Sequence, residues 1–249
     1  MSPQLVLLPT SDDVAADAAA RLITTLVDLQ WGGRVPSVVL TGGTIGIGLL
    51  TKIRESTSRN SVDWRRVEIF WGDERFVGAG DGERNERQAR EALLDHVPVD
   101  PERVHPMAAS DGPFGADVDA AAAAYADLVD AHGPFDVTLL GLGPDGHVAS
   151  IFPEHPSVYD TRTALPVRHS PKPPPTRISL SLPTIRTSTE VWVVTGGSGK
   201  ADAVAMALGG AGEVAIPAVG AVGSSRTLWL MDRDSAVRLP SSVFRAPIA

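Results

Sequence analysis

No cysteine occurs at any of the 249 positions. Disulfide staples, thiolate metal sites and a cysteine nucleophile are excluded together. The chain also lacks any apolar stretch approaching the roughly 18 residues that a membrane-spanning helix needs. Its start, Met1-Ser2-Pro3-Gln4-Leu5-Val6-Leu7-Leu8-Pro9, has no basic leader and too short an apolar run for a secretion signal. The expectation is a cytoplasmic protein with no membrane partner. No block of Lys and Arg stands out and the formal net charge is −8, which argues against nucleic acid as a partner. A small anion is not excluded, because a few N–H groups and basic side chains can reverse the field locally. Internal repeats are absent, and so is any linker biased enough to divide the chain.

What is present suits a sizeable core: 43% of the residues are hydrophobic. Short apolar runs at 4–8, 37–40, 67–71, 135–140, 191–194 and 227–231 read as buried strands, and 177–182 alternates strictly, as a strand with one polar face. Helical spacing appears at 14–29, with Ser11-Asp12-Asp13 as the cap, and at 47–53, 85–94, 116–131 and 201–208; a further helix starts at Pro183. Residues 97–118 are mostly loop with a short strand near 104–106, 168–175 is a proline-rich surface crossing, and 218–222 reads either way. The tail, 232–249, reads as loosely packed. About seven strands alternating with helices predict an α/β fold, a mostly parallel doubly wound sheet with helices on both faces, formed by 1–249 as a single domain.

Four of the strand ends carry polar loops. Thr41-Gly42-Gly43-Thr44 lies between a strand and a helix, the arrangement in which backbone N–H groups hold a phosphate. It matches neither the Walker pattern nor the dinucleotide fingerprint, and a plain tight turn is the alternative. Gly72-Asp73-Glu74-Arg75-Phe76-Val77 puts three charges at a strand end, where a solvated turn competes with a ligand-facing cluster. Asp145 and His147 stand two positions apart in Gly141-Leu142-Gly143-Pro144-Asp145-Gly146-His147, a carboxylate and an imidazole at the tip of a glycine-rich loop. Thr195-Gly196-Gly197-Ser198-Gly199-Lys200 repeats the strand-to-helix turn with a lysine that opposes the helix dipole, so a nearby anion is the economical reading. Arg84, Arg87 and Arg90 read as a solvated helix face and His105 as structural. In a parallel sheet all four loops can share one edge, where they suit a phosphorylated small molecule undergoing proton transfer or hydrolysis.

These segments, with Asn85, Val148-Ala149-Ser150-Ile151-Phe152-Pro153 and Arg177-Ile178-Ser179-Leu180, occur in an order that closely resembles the glucosamine-6-phosphate deaminase/6-phosphogluconolactonase family, on its lactonase side. The resemblance spans about 5–230 and is most specific over 145–153. It implies the fold of glucosamine-6-phosphate deaminase and ribose-5-phosphate isomerase. It also implies hydrolysis of 6-phospho-D-glucono-1,5-lactone to 6-phospho-D-gluconate in the oxidative pentose phosphate pathway, by a monomer, with no cofactor and no metal. His147 is then the general base, and Asp145 either orients it or shapes the turn. Gly42, Gly43, Thr44, Asp73, Arg75, Arg177 and Lys200 are the substrate-binding candidates; Arg75 is alternatively a structural partner of Asp73 or Glu74. The deaminase version of the central loop resembles D-G-H-I-A-F-N-E-P, with a glutamate before the last proline, where this chain has Phe152. That departure favours the lactonase over a deaminase or isomerase, and the intact His147 disfavours a non-catalytic sugar-phosphate sensor. A second departure is 78–83, which stands where relatives often have a proline-containing acidic loop.

Overall fold

A computed structural model of the chain describes residues 2–240. In chain order the elements are β1 (Gln4–Leu8), α1 (Ser11–Trp31), β2 (Ser37–Leu40), α2 (Gly43–Glu55), β3 (Glu68–Trp71), β4 (Asp73–Arg75) and α3 (Asn85–Ala92). They continue with α4 (Val118–His132), β5 (Val137–Gly141), β6 (Ala164–Val167), β7 (Arg177–Leu180), α5 (Leu182–Thr187), β8 (Glu190–Thr195), α6 (Ala201–Leu208) and β9 (Arg226–Asp232). Six strands form one parallel sheet in the order β1-β9-β8-β5-β2-β3. Among the described residues no helix is long and apolar enough to cross a membrane.

Helices cover both faces of that sheet, which is why its central strands are apolar on both sides. Along each strand, alternate residues enter different cores. Val38, Leu139, Trp192 and Leu230 pack with α1, α2 and α3 through residues such as Leu22, Leu26, Leu49 and Ala89. Val39, Leu140, Val193 and Trp229 pack with α4, α5 and α6 through Tyr125, Ile185 and Val204. The cap of α1 is Thr10, one residue before the cap expected at 11–13. Thr10 accepts from the Asp13 N–H at 3.2 Å while its own N–H donates to the Asp13 carboxylate at 3.0 Å, a reciprocal capping box. Ser11 is engaged elsewhere, donating to Asp232 at 2.6 Å.

The expectation for 177–182 needs correction. This strand does not join the parallel sheet; β7 pairs antiparallel with β4 and β6 in a separate three-stranded sheet, β4-β7-β6. Its polar positions Arg177 and Ser179 are buried, not solvated, because β7 lies under the loops that leave the parallel strands. The short strands β4 and β6 carry too few alternating residues to be read from sequence. Near 104–106 there is one parallel bridge, Ile69 to Val104, and 217–220 forms a single 3₁₀ turn. The tail is not loose where it is described: Asp232, Ser235 and Ala236 are buried. The part of that expectation falling on 241–249 lies outside the described residues.

Candidate active site

The carboxyl ends of β2, β5 and β8 and the facing residues of β4 and β7 surround a cleft of about 270 Å³. Its central wall is the loop after β5. There Gly143 N–H donates to the His147 carbonyl at 2.8 Å and Gly146 N–H to the Gly143 carbonyl at 3.0 Å, folding the segment back on itself. Gly146 is in the left-handed region, at φ 87°, where a side chain would also meet Ile216. Gly143 has a different constraint: a Cβ there would overlap Nδ1 of His147 and Oδ1 of Asp145. The glycine leaves the space in which those two side chains meet.

They meet at 2.5 Å, His147 Nδ1 to Asp145 Oδ1. The same Asp145 oxygen also lies 3.5 Å from the His147 backbone N–H, so the carboxylate touches both the imidazole and the turn. With Nδ1–H donating to the carboxylate, the lone pair falls on Nε2, which has no hydrogen-bond partner among the described residues. Partial burial pushes the Asp145 carboxyl up, but the His147 hydrogen bond and charge and the nearby Lys172 outweigh it and hold the group well below the usual carboxylate range. Phe152 tilts against the imidazole with ring centroids 4.6 Å apart and is itself buried, so the position before Pro153 offers no acid to the cleft.

The opposite wall is electropositive. Gly42 caps α2 without any side-chain hydrogen bond, Gly43 adopts φ 79°, and both line the cleft, leaving first-turn N–H groups of α2 without a side-chain cap. Lys200 is half-buried at the head of α6. Burial and the Lys172 charge push its pKa down while Asp145 opposes them. Its ammonium has no hydrogen-bond or ion-pair partner among the described residues. Arg177 stacks over Phe152 with 5.7 Å to the ring centroid, lies 3.9 Å from Asp73, and donates to the carbonyls of Lys172, Pro173 and Pro174 at 3.2 Å each. Burial lowers its pKa against the raising effect of Asp73.

Seven of the nine site candidates therefore border one cleft: Gly42, Gly43, Asp73, Arg75, His147, Arg177 and Lys200. Asp145 stands behind His147. Thr44 is not among the residues lining it and is exposed in the first turn of α2, while Thr41 lines the cleft, its hydroxyl accepting from Gly141 N–H at 3.2 Å. Asp73 is committed internally, accepting from Ser150 at 2.6 Å and from the Asn85 amide at 3.3 Å. Arg75 pairs with neither Asp73 nor Glu74 through its side chain. Its guanidinium donates to the Glu83 carbonyl at 3.0 Å and to the Asn85 carboxamide.

Among the lining residues outside the candidate set are Lys172 and Asn85. Lys172 sits 3.4 Å from His147 Nδ1 and 3.6 Å from Asp145, on the strap read as a surface crossing. The signal was a lone cation among prolines, whose restricted backbone holds it in place. Asn85, read as a helix start and as part of the family resemblance but given no site role, lies against Gly42 closely enough that a Cβ there would overlap its carboxamide. Arg84 overturns the expectation of a solvated face. It is 2% exposed and donates to the Met107 carbonyl at 2.7 Å, because it precedes α3 and turns inward toward Glu74, whereas Arg87 and Arg90 pair with Glu91 and Glu86 on the outer face. His105 is away from the cleft, 2.8 Å from Glu68 and stacked on Phe70, as expected of a structural residue.

Comparison with known proteins gives the same grouping. The chain is 56% identical to a 6-phosphogluconolactonase of Streptomyces coelicolor over 253 aligned positions, covering 98% of this chain and 97% of the relative. It is 49% identical to the 6-phosphogluconolactonase of Mycobacterium tuberculosis, covering 97% and 100%. Among solved structures, the 6-phosphogluconolactonase of Trypanosoma brucei superposes with a TM-score of 0.82 at 26% identity, over 96% of this chain and 99% of that one. A monomeric glucosamine-6-phosphate deaminase shares the fold, with a TM-score of 0.79 at 19% identity over 94% and 99%. The family model for glucosamine-6-phosphate isomerases/6-phosphogluconolactonase matches residues 9–229, and the chain belongs to that family.

Proposed function

We propose that this chain is an enzyme that hydrolyses 6-phospho-D-glucono-1,5-lactone to 6-phospho-D-gluconate, the lactone-opening step of the oxidative pentose phosphate pathway. Its relatives at 56% and 49% identity carry that activity in their names. The observation that carries the reading is the cleft itself: an imidazole fixed through Nδ1 with Nε2 free, set beside an uncapped helix N-terminus and an unpartnered lysine. One side accepts a proton; the other accepts a phosphate.

His147 is the general base. Nε2 takes a proton from water as the water oxygen bonds to C1, and the negative charge collects on the former carbonyl oxygen. Collapse of the tetrahedral intermediate breaks the bond between C1 and the ring oxygen, and the imidazolium returns its proton to that leaving oxygen. Asp145 keeps the tautomer and stabilises the imidazolium, as a buried carboxylate does for a catalytic histidine. The N–H groups of the loops bordering the cleft are the donors for the oxyanion. Lys200 and the first turn of α2 hold the phosphate, while Arg75, Arg177 and Lys172 supply further charge and hydroxyl contacts. Water and these side chains complete the chemistry without a cofactor, and 1–249 acts as one domain with its site at the carboxyl ends of the parallel strands. The deaminase alternative lacks an acid at Phe152, whose ring is buried against His147.

The test is a coupled assay. Glucose 6-phosphate is oxidised to completion, the chain is added, and 6-phosphogluconate is followed with its dehydrogenase. Wild type accelerates product above the spontaneous rate, and His147→Ala falls by about 10²- to 10⁴-fold, the range for a lost general base. If wild type binds sugar phosphates in calorimetry but adds nothing to the rate, the chain is a sensor. If His147→Ala keeps most of the activity, the base is another group.

A further inference from the structure

Glu74 is a buried carboxylate that the mechanism above does not use. It lies on β4, 1% exposed. Its Oε1 accepts from the N–H groups of Arg75 at 2.8 Å and Asn85 at 2.7 Å, and its Oε2 accepts from the N–H of Glu86 at 2.9 Å. The Arg84 guanidinium lies 3.7 Å from Oε2. Asn85 and Glu86 are the first two residues of α3, so Glu74 supplies the cap that Arg84, at the cap position, does not. Arg84 gives one hydrogen bond to Met107 and leaves Nε and Nη1 without a hydrogen-bond partner among the described residues, Nε lying 3.7 Å from Glu86 Oε2. It therefore acts on Glu74 mainly through its charge.

The seated residue is the informative one. Asn85 Nδ2 donates to the Asp73 carbonyl at 2.8 Å, its Oδ1 accepts from the Arg75 guanidinium, and its carboxamide fills the space beside Gly42. One side chain thus touches three cleft-lining residues, two on β4 and one in the turn before α2. We propose that Glu74 is a positioning residue for this cleft: its carboxylate, opposite Arg84, seats the first turn of α3 so that Asn85 holds Arg75 in place to meet the substrate. The proposal rests on the reading of Arg75 as a substrate contact. Three N–H donors aimed at one carboxyl group match the ionised form, in which both oxygens accept. Burial pushes the group the other way, up to about 7, against the Arg84 charge and those N–H bonds.

The experiment uses Glu74→Gln in the full chain, alone and combined with Arg75→Ala, with two readouts. Amide hydrogen exchange at Asn85 and Glu86 reports the seat directly and needs no turnover. Kinetics report its consequence: Glu74→Gln raises KM about tenfold with kcat changed less than threefold, the size of one weakened charge-assisted contact. In the Arg75→Ala background the same substitution adds no further rise. Should Glu74→Gln fail to fold, Arg84→Met removes the opposing charge and gives the same pattern. Unchanged exchange at Asn85 and Glu86 overturns the proposal, as does a KM rise of equal size in both backgrounds. If wild type fails to open the lactone, the functional reading falls while the exchange result still decides whether Glu74 seats α3.

Discussion

Replacing Gly143 with alanine tests the site through one methyl group. The added Cβ would coincide with Nδ1 and Cε1 of His147 and with Oδ1 of Asp145, so ring and carboxylate must part. Two losses follow. The 2.5 Å bond between them goes, and a hydrogen bond to a charged group is worth about 1.5–3 kcal/mol. The imidazole also moves by about an ångström from its place beside the substrate, and a misplacement of that size costs about 10²-fold in rate. A fall in kcat of about 10²- to 10³-fold is expected in the coupled lactone assay. Stability should fall by no more than the bond that is lost, about 1.5–3 kcal/mol, because Gly143 lies outside the left-handed region and its backbone adds no strain. Gly80→Ala is the control: no heavy atom beyond its chain neighbours lies within 4 Å of a Cβ there, and its kcat should match wild type. A Gly143→Ala enzyme that keeps kcat within about threefold of wild type would refute the dyad. A fall in kcat that tracks a collapse of the thermal midpoint would refute the claim that the loss is catalytic.

Three further outcomes are expected. Lys200→Met should raise KM for the lactone about tenfold or more and weaken inhibition by inorganic phosphate, since it removes an ammonium that has no partner among the described residues; an unchanged KM would place the phosphate elsewhere. Phe152→Glu should not produce ammonia release from glucosamine 6-phosphate but should lower the thermal midpoint by several degrees, because it buries a carboxylate at a site 1% exposed. Glu74, held at about 7 in the fold against an ordinary 4.5, stabilises the fold fully below pH 4.5, and that contribution is lost as pH rises to 7. Urea unfolding should therefore show wild type losing about 3 kcal/mol relative to Glu74→Gln between pH 4.5 and pH 8, and a constant difference would show that Glu74 titrates normally.

The parallel sheet was legible because its strands are buried on both faces: Val38-Val39-Leu40 and Val191-Trp192-Val193-Val194 need no tertiary information to be recognised. The glycine-rich turns were legible for a related reason, since backbone at strand ends is constrained locally. The antiparallel sheet was not. β4 is three residues long, and the charges of Asp73-Glu74-Arg75 look solvated until β7 and α3 close over them. Arg84 was misplaced on the same account: a helix-flanking arginine looks like surface unless the buried carboxylate opposite it is known, and Glu74 reaches it only across the loop 76–83. Lys172 came to the cleft through a strap whose path no periodicity encodes.

A chain of net charge −8 offering a cleft to a phosphate ester poses an electrostatic problem, and the fold answers it by layering. Among the described residues, Lys200 stands in the cleft with no ion-pair partner and Arg75 Nε is buried without a hydrogen-bond partner. The carboxylates that organise these cations lie behind them. Glu74 holds the turn that carries Arg75 and Asn85 through backbone N–H groups. Asp232, at the end of β9, accepts from Gly197 N–H at 2.9 Å and from Ser11, and so fixes the turn that leads to Lys200. Burial pushes Asp232 up, but the hydrogen bonds from Ser11, Ser235 and Gly197 outweigh it and keep the group ionised. Because both acids spend their charge on backbone donors, neither neutralises the cation it positions. The cleft can then be positive within a protein that is not, and an anion entering it at Lys200 gains charge-assisted contacts without first displacing a salt bridge.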